Sequence, residues 1–322
     1  MVVTTVPLGA SEVRVTPLAF GTWAQGDSAF WGYGTRHGPA EAVDVFTAAL
    51  EGGVRFFDSA EVYGHGESER ILGALARRAG VPLVLATKFA PLAGRGGAGA
   101  FPGALAGSLK RLGVRRVDLY LAHWADRAEV SIPALMDAFA GAVRRGFVRA
   151  VGVSNFTAAE LREAHAALAR HGVPLAAQQV RYSALDRGPE RDGVLAACRE
   201  LDVTLLAYSP LAQGVLAGTY TAERPPPGPR AALPGFSPAR LRAAAPLVDL
   251  LRAIGAARGG RGPEQVALNW LRAKPGVIPV VGATSGAQAR RCAASLEWSL
   301  TADEEARIDA LAASLEAPST PE

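Results

Sequence analysis

Four ionisable side chains follow apolar, strand-like runs at separate points along the chain. Asp58 directly follows "VRFF", Lys88 ends "PLVLATK" and His123 ends "VDLYLAH". Tyr63 comes five residues after Asp58, in a turn with two glycines. An ammonium beside a phenol favours the phenolate and lowers the phenol's pKa from about 10. Lys88 would thus tune Tyr63 for proton transfer, with Asp58 keeping the ammonium charged. Because His123 could position a carbonyl oxygen, the set predicts carbonyl/alcohol interconversion that lacks only a hydride source.

Lys88 is informative because lysine is rare in this chain. Lys88, Lys110 and Lys274 are the only lysines among 34 basic residues. Lysine carries a compact charge whose pKa moves readily on burial, whereas arginine stays charged. A lysine at a predicted strand end therefore indicates a site, with chance occurrence in an arginine-rich chain as the alternative.

Eight β-rich apolar runs alternate with Ala/Leu/Arg-rich segments of helical period. The runs span residues 15–22, 54–59, 82–88, 117–123, 148–154, 175–180, 203–209 and 277–282. Parallel strands that alternate with helices in one domain predict an α/β fold, a closed (β/α)8 TIM barrel. Enzymes of this fold place their chemistry at the carboxyl ends of the strands, where the four side chains stand.

The remaining segments extend this barrel without adding a domain, so residues 1–322 are predicted to form one domain. "TTVPL" and "EVRVT" flank "GAS" and predict an N-terminal β-hairpin that caps the barrel floor. The proline-rich stretch 219–240 is either a disordered linker or a loop over the site. Residues 315–322 are predicted to be a flexible tail.

Composition argues against several classes of function. The net charge is +4, but no basic run reaches five residues, so we expect no nucleic-acid partner. The N-terminal segment lacks signal-peptide features and no window resembles a membrane span, which predicts a cytoplasmic protein without a membrane partner. Cys198 and Cys292 have neither disulfide-framework nor metal-ligand spacing, so no metal is expected.

One glycine-rich motif imitates a dinucleotide-binding turn. "GRGGAG", Gly94 to Gly99, matches G-x-G-x-x-G, and Asp118 lies near the offset of a ribose-binding acid. The motif begins several residues after the predicted strand, however, and Asp118 starts a strand instead of ending one. We therefore interpret it as a flexible loop.

The motifs together resemble the aldo-keto reductase family along essentially the whole chain. They are "LAFGTW", "FFDSAEVYGHGESE", "ATKF", "SLKRLGVRRVDLYLAHW", "VGVSNF", "QQVRYSALDR", "AYSPLAQGVLAG" and "VIPVVGATSGAQ". The family's catalytic Asp, Tyr, Lys, His tetrad corresponds to Asp58, Tyr63, Lys88 and His123. The "YSALDR" segment and the long loop after the seventh run are more similar to the bacterial-type and potassium-channel β-subunit branch.

The resemblance implies NADPH (NADP+) as the hydride source, bound across the strand ends. The residues implied to bind it are Gly21, Thr22, Trp23, Asp58, Ser154, Asn155, Gln179, Tyr208, Ser209, Pro210, Leu211, Gly214, Gly282, Thr284 and Gln288. Tyr208 would stack on the nicotinamide, and Ser154, Asn155 and Gln179 would bond its carboxamide. Trp31 and Trp124, with Tyr63 and His123, would line the substrate pocket; packing against loops is the alternative for the two tryptophans.

Departures from the family pattern lie at the adenine end. The usual "GAR" is "GAT" at 282–284, and Cys292 replaces the expected asparagine. Arg290 or Arg291 could supply the missing charge, and NADH remains possible as a cofactor. The carbonyl substrate and the choice between monomer and homo-oligomer stay open.

Two other functions remain as alternatives to an NADPH-dependent reductase of aldehydes or ketones. One is an NADP(H)-binding redox sensor or regulatory subunit with negligible turnover. The other is a metal-dependent hydrolase built on His65, His123 and Asp58, for which the ligand spacing is missing.

Overall fold

The computed structural model describes residues 4–92, 97–125 and 130–315. Its strands are β1 (Val6–Pro7), β2 (Arg14–Val15), β3 (Ala19–Gly21), β4 (Phe56–Asp58), β5 (Val84–Phe89), β6 (Val117–Ala122), β7 (Val148–Ser154), β8 (Leu175–Arg181), β9 (Thr204–Tyr208) and β10 (Val277–Val281). Its α-helices are α1 (Pro39–Glu51), α2 (Glu67–Ala76), α3 (Phe101–Leu112), α4 (Ile132–Arg144), α5 (Ala158–Ala169), α6 (Gly188–Arg191), α7 (Val194–Glu200), α8 (Pro238–Ala257), α9 (Pro263–Ala273), α10 (Gly286–Ala293) and α11 (Ala302–Ser314). Each of the eight predicted runs overlaps one of the strands β3 to β10, and β5 and β8 extend one residue beyond their runs.

The strands β3 to β10 are parallel and close into a barrel. Each pairs with the next along the chain, and β10 pairs with β3. At least one helix follows every barrel strand. The predicted (β/α)8 barrel is therefore confirmed. None of the described helices is long and apolar enough to cross a lipid bilayer.

The hairpin formed by β1 and β2 covers the amino end of the barrel. Leu8 and Val15 pack in one buried cluster with Phe56, whose side chain faces the barrel interior. The backbone N–H of Gly9 donates to Oγ1 of Thr204, at the start of β9, at 2.8 Å. The predicted hairpin is thus present and lies on the floor of the barrel.

Period-two alternation along β5 decides which side chains reach the barrel interior. Leu85 and Phe89 pack in the core between the strands and the surrounding helices, whereas Ala86 belongs to the cluster inside the barrel. Lys88 shares the face of Ala86 and is fully buried. The alternation therefore places an ammonium group inside the upper end of the barrel.

The proline-rich stretch 219–240 is mostly exposed and leads directly into α8. Phe236 is buried against Leu241 in a small cluster of its own. The helix begins at Pro238, inside the range expected for the loop, because Ser237 caps it and proline suits a first turn.

Parts of two further expectations lie outside the described residues. These are Gly94 to Gly96 of the "GRGGAG" motif and residues 316–322 of the predicted tail. Gly97–Ala100, after the first of these segments, is a short 3-10 turn that leads into α3.

Gly9 should be intolerant of any side chain. Its φ is +52°, and a Cβ would meet the carbonyl oxygen of Ala176 at 2.5 Å. We expect Gly9→Ala to lower the free energy of unfolding by about 2–4 kcal/mol, measured by urea denaturation. Gly172→Ala is the matched control, since Gly172 has a φ of +66° and open space around it. Equal losses in the two variants would contradict the close approach of the hairpin to the barrel.

Candidate active site

The four predicted ionisable residues meet at the carboxyl end of the barrel. Asp58 ends β4, Lys88 lies near the end of β5 and His123 directly follows β6, while Tyr63 opens a 3-10 turn after β4. Nζ of Lys88 donates to Oδ2 of Asp58 at 2.6 Å and lies 3.5 Å from the hydroxyl of Tyr63. The rings of Tyr63 and His123 meet edge to face, with centroids 5.9 Å apart. The geometry thus joins a carboxylate, an ammonium, a phenol and an imidazole in one cluster.

Burial decides the electrostatics of this cluster. Desolvation lowers the pKa of Lys88, and the charge of Asp58 opposes that shift. Desolvation, followed by the charge of Asp58, raises the pKa of Tyr63 well above its ordinary value. This result corrects the sequence expectation that Lys88 lowers the pKa of Tyr63. A raised pKa favours the protonated phenol over the phenolate.

The turn that carries Tyr63 needs its two glycines. Gly64 has a φ of +54°, and a Cβ there would collide with the backbone carbonyl of Gly26. Gly66 also has a positive φ, and its missing side chain leaves room for the Arg111 stem. His65, between them, is exposed and lies outside the cavity lining. No group of three or more His, Cys, Asp or Glu side chains among the described residues could hold a metal ion.

A second buried carboxylate, which the sequence analysis missed, stands behind Lys88. Glu69 on α2 is fully buried and accepts a hydrogen bond from the Thr87 hydroxyl at 2.6 Å. It also accepts one from Nε of Arg111, on α3, at 2.5 Å. Because Thr87 precedes Lys88 on β5, this network fixes the helix after the Tyr63 turn against the strand of the lysine.

Polar side chains from β7 to β9 extend the hydrogen-bond network. Nε2 of Gln179 donates to Oδ1 of Asp58 at 3.1 Å. Nδ2 of Asn155 donates to the His123 carbonyl at 3.1 Å. The hydroxyl of Tyr208 donates to Oδ1 of Asn155 at 3.0 Å. These bonds hold the Tyr208 ring at the mouth of the barrel and link it through Asn155 to His123.

A cavity of about 510 Å³ opens above the cluster. Most of the residues predicted to bind a dinucleotide line it, namely Gly21, Trp23, Asp58, Ser154, Asn155, Gln179, Tyr208, Ser209, Pro210, Leu211, Gly214, Gly282, Thr284 and Gln288. Thr22 does not line it, because its hydroxyl bonds the backbone oxygen of Asp58 at 3.1 Å and also accepts from Ser68. Its backbone N–H also donates to that oxygen at 2.8 Å, so Thr22 braces the end of β4.

Aromatic rings form the wall nearest Tyr63. Trp23 stacks on Phe30, with centroids 4.8 Å apart, and meets Trp31 edge-on at 5.6 Å. The His123 ring stacks on Trp124 at 3.8 Å. Trp31 and Trp124 both line the cavity. Such a wall favours flat, apolar ligands.

Arg230, in the proline-rich loop, reaches this wall and was also missed. Its guanidinium carbon lies 4.7 Å from the Trp31 ring centroid and 5.4 Å from that of Tyr220. One Nη donates to the Gln213 carbonyl at 3.2 Å, and Nε is buried without a hydrogen-bond partner among the described residues. No sequence signal other than an arginine within a long loop pointed to it. The contact joins the loop after β9 to the loop after β3.

The comparisons with known proteins agree with this geometry. The model of the Aldo/keto reductase family matches residues 17–313. The chain belongs to the aldo/keto reductase family. It is 36% identical over 314 residues to the chloroplastic pyridoxal reductase of Arabidopsis thaliana, with 92% of this chain and 83% of the relative covered. It is 37% identical over 293 residues to an uncharacterized oxidoreductase of Mycobacterium tuberculosis, with 90% and 87% covered. The glycerol dehydrogenase AKR11B4 of Gluconobacter oxydans shares 26% identity and a TM-score of 0.84 over the full length of both chains.

Aldo/keto reductases are oxidoreductases that use a nicotinamide dinucleotide, and the residues present fit such a group. Gly214 has a φ of +106°, and a Cβ there would crowd the Tyr220 ring at 2.9 Å. Ser209 and Gln213 also hold left-handed backbone, which is frequent in loops that cradle ligands. With the orphaned Nε of Arg230, this loop offers donors suited to phosphate oxygens.

The buried ion pair of this aldo/keto reductase should dominate the stability of the site. Lys88→Met leaves Asp58 buried without its cation, so we expect a loss of about 3–5 kcal/mol in the free energy of unfolding by urea denaturation. The double variant Asp58→Asn/Lys88→Met should recover most of that loss, because it removes both charges.

Arg162→Gln is the matched control. It breaks an Arg162–Glu200 ion pair whose side chains are 47% and 57% exposed, and exposed pairs contribute little. If Lys88→Met lowered the free energy of unfolding no more than Arg162→Gln does, the buried pair would contribute no more to stability than an exposed pair.

Proposed function

We propose that this chain is an NADPH-dependent reductase that converts aldehydes or ketones to alcohols, with Tyr63 as the general acid. The observation that carries the proposal is the buried ammonium of Lys88, which lies between the Asp58 carboxylate and the Tyr63 hydroxyl beneath an open cavity. Membership of the chain in the aldo/keto reductase family supports oxidation and reduction as the class of reaction.

The proposed chemistry divides between two partners. A bound nicotinamide supplies the hydride that reduces the carbonyl carbon. Tyr63, kept protonated by burial, donates its proton to the carbonyl oxygen and is afterwards reprotonated from solvent. Lys88 holds the phenol oxygen in place, Asp58 keeps the ammonium oriented, and His123 positions the substrate oxygen.

Three groups of residues are proposed to hold the dinucleotide. The first group lies nearest the reacting end and would orient the nicotinamide; it consists of Ser154, Asn155, Gln179 and Tyr208. The loop after β9, with Ser209, Pro210, Leu211 and Gly214, would surround the diphosphate, and Arg230 would add a cation. Gly282, Thr284 and Gln288 would contact the adenosine end. Fixing the ring in this way sets the geometry of hydride transfer.

The substrate is proposed to be a small carbonyl compound with a flat ring. The wall of Trp23, Trp31 and Trp124 supports this choice, since aromatic side chains pack well against planar ligands. The relative named pyridoxal reductase makes pyridoxal a rational member of a substrate panel. A cytoplasmic location, expected from the sequence, is part of the same proposal.

Tyr63→Phe tests the proposal directly. Consumption of NADPH with aromatic aldehydes, pyridoxal, quinones and ketosugars should fall about 100-fold or more in the variant. Affinity for NADP+, measured by tryptophan quenching, should stay near that of the wild type, because Tyr63 acts on the substrate. Turnover unchanged by Tyr63→Phe would exclude this residue as the acid. Tight NADPH binding without reduction of any carbonyl would favour the sensor alternative.

The pH dependence of reduction should follow Lys88 and not Tyr63. Burial raises the pKa of Tyr63, which keeps its proton at higher pH than an ordinary tyrosine. Burial lowers the pKa of Lys88, which loses its charge at lower pH than an ordinary lysine. We expect kcat to fall on the alkaline side, and Asp58→Asn to move that fall to lower pH, because Asp58 supports the charged lysine. A shift to higher pH would contradict this assignment.

A further inference from the structure

The two arginines near the adenosine end point in different directions. Gln288, Arg291 and Cys292 are spaced i, i+3, i+4 on α10 and so share one face, and all three line the cavity. Arg290 lies off that face, with a side chain 61% exposed and Nη1 4.0 Å from Glu51. Of the two candidates that the sequence left open, only Arg291 reaches the cavity.

A buried carboxylate holds Arg291 by a single nitrogen. Glu264, in the first turn of α9, is 6% exposed and also lines the cavity. It accepts a hydrogen bond from Nε of Arg291 at 2.8 Å. Within the described part of the chain, neither Nη group of Arg291 makes a hydrogen bond, and the side chain is 54% exposed. A guanidinium fixed through Nε presents these groups as a fork that matches two oxygens of a phosphate.

The two donors of Thr284 are already engaged. The backbone N–H and the hydroxyl of Thr284 both bond Oε1 of Gln288, at 2.8 and 3.1 Å. Arg230, another cation of the cavity lining, contacts Trp31 and Tyr220 on the aromatic side. Arg291 is therefore the cation best placed to receive an anion beside Thr284.

We propose that Arg291 binds the 2′-phosphate of NADPH and that Glu264 is a positioning residue that sets the preference for NADPH over NADH. The inference rests on the proposed function, because it assumes that the cavity holds a nicotinamide dinucleotide. Arg291 on α10 contacts the phosphate, and Glu264 on α9 holds Arg291 in place. This pair is needed because Thr284 itself offers no charge. Glu264 acts through the orientation of the guanidinium, for which it needs only an oxygen that accepts from Nε.

Binding of NADP+ and NAD+, measured by calorimetry without any substrate, tests the arginine. Arg291→Gln should weaken NADP+ by about 10-fold or more, the cost of a lost charge-assisted bond, and leave NAD+ within about twofold. Arg290→Gln is the matched control and should alter neither affinity. Equal weakening of both dinucleotides by Arg291→Gln, or none, would overturn the assignment.

Two variants of Glu264 separate positioning from repulsion. Glu264→Ala removes the acceptor and should weaken NADP+ about 3- to 10-fold. Glu264→Gln keeps an acceptor oxygen and should restore wild-type affinity to within about twofold. If the carboxylate merely repelled phosphate, both variants would bind NADP+ more tightly, and the positioning role would be wrong.

The wild-type protein distinguishes failure of this inference from failure of the proposed function. Wild-type binding of either dinucleotide, together with carbonyl reduction, upholds the proposed function even if the Arg291 and Glu264 variants leave the NADP+ to NAD+ ratio unchanged. An unchanged ratio would then contradict only the assignment of the 2′-phosphate to Arg291. Binding of neither dinucleotide by the wild type would reject both.

Discussion

The burial of one ammonium group is the constraint around which the site is built. Lys88 is fully enclosed, and a charge in such a place is costly unless it is paired and hydrogen-bonded. The Asp58 carboxylate at 2.6 Å and the backbone oxygen of Ser59 at 2.7 Å meet that need. Both partners come from the end of β4, so the register between β4 and β5 determines whether the charge can be buried.

The surrounding elements keep these partners in place. Gln179 on β8 bonds the other oxygen of Asp58, and Thr22 after β3 bonds its backbone carbonyl. Glu69 and Arg111 tie α2 and α3 to β5 next to the lysine. Removing water from this region also raises the pKa of Tyr63. The same desolvation that destabilises the charged form of Lys88 therefore favours the protonated form of the phenol. Stability and the proposed chemistry therefore depend on one desolvated cluster.

The barrel and the cluster could be predicted because their signals are local. Each barrel strand is a short β-rich run, and parallel strands bring Asp58, Lys88 and His123 to the same end. The direction of the Tyr63 pKa shift could not be predicted, because it depends on burial. The orientation of the Thr22 hydroxyl, which bonds the backbone oxygen of Asp58, also depends on a tertiary contact that the sequence does not reveal. The contact of Arg230 with Trp31 could not be predicted, because it joins two loops by tertiary packing. Helical spacing alone, by contrast, could have predicted that Arg291 and not Arg290 faces the cavity.

Titration of the Tyr63 hydroxyl is the most direct test of this dependence on burial. The tyrosinate absorbance of the wild type minus that of Tyr63→Phe isolates this one phenol from the other tyrosines. If burial governs the cluster, the difference spectrum shows no ionisation through the neutral range and none below the ordinary tyrosine pKa of about 10. Ionisation near neutral pH would show that the charge of Lys88 outweighs desolvation, and would contradict the assignment of a protonated phenol as the donor.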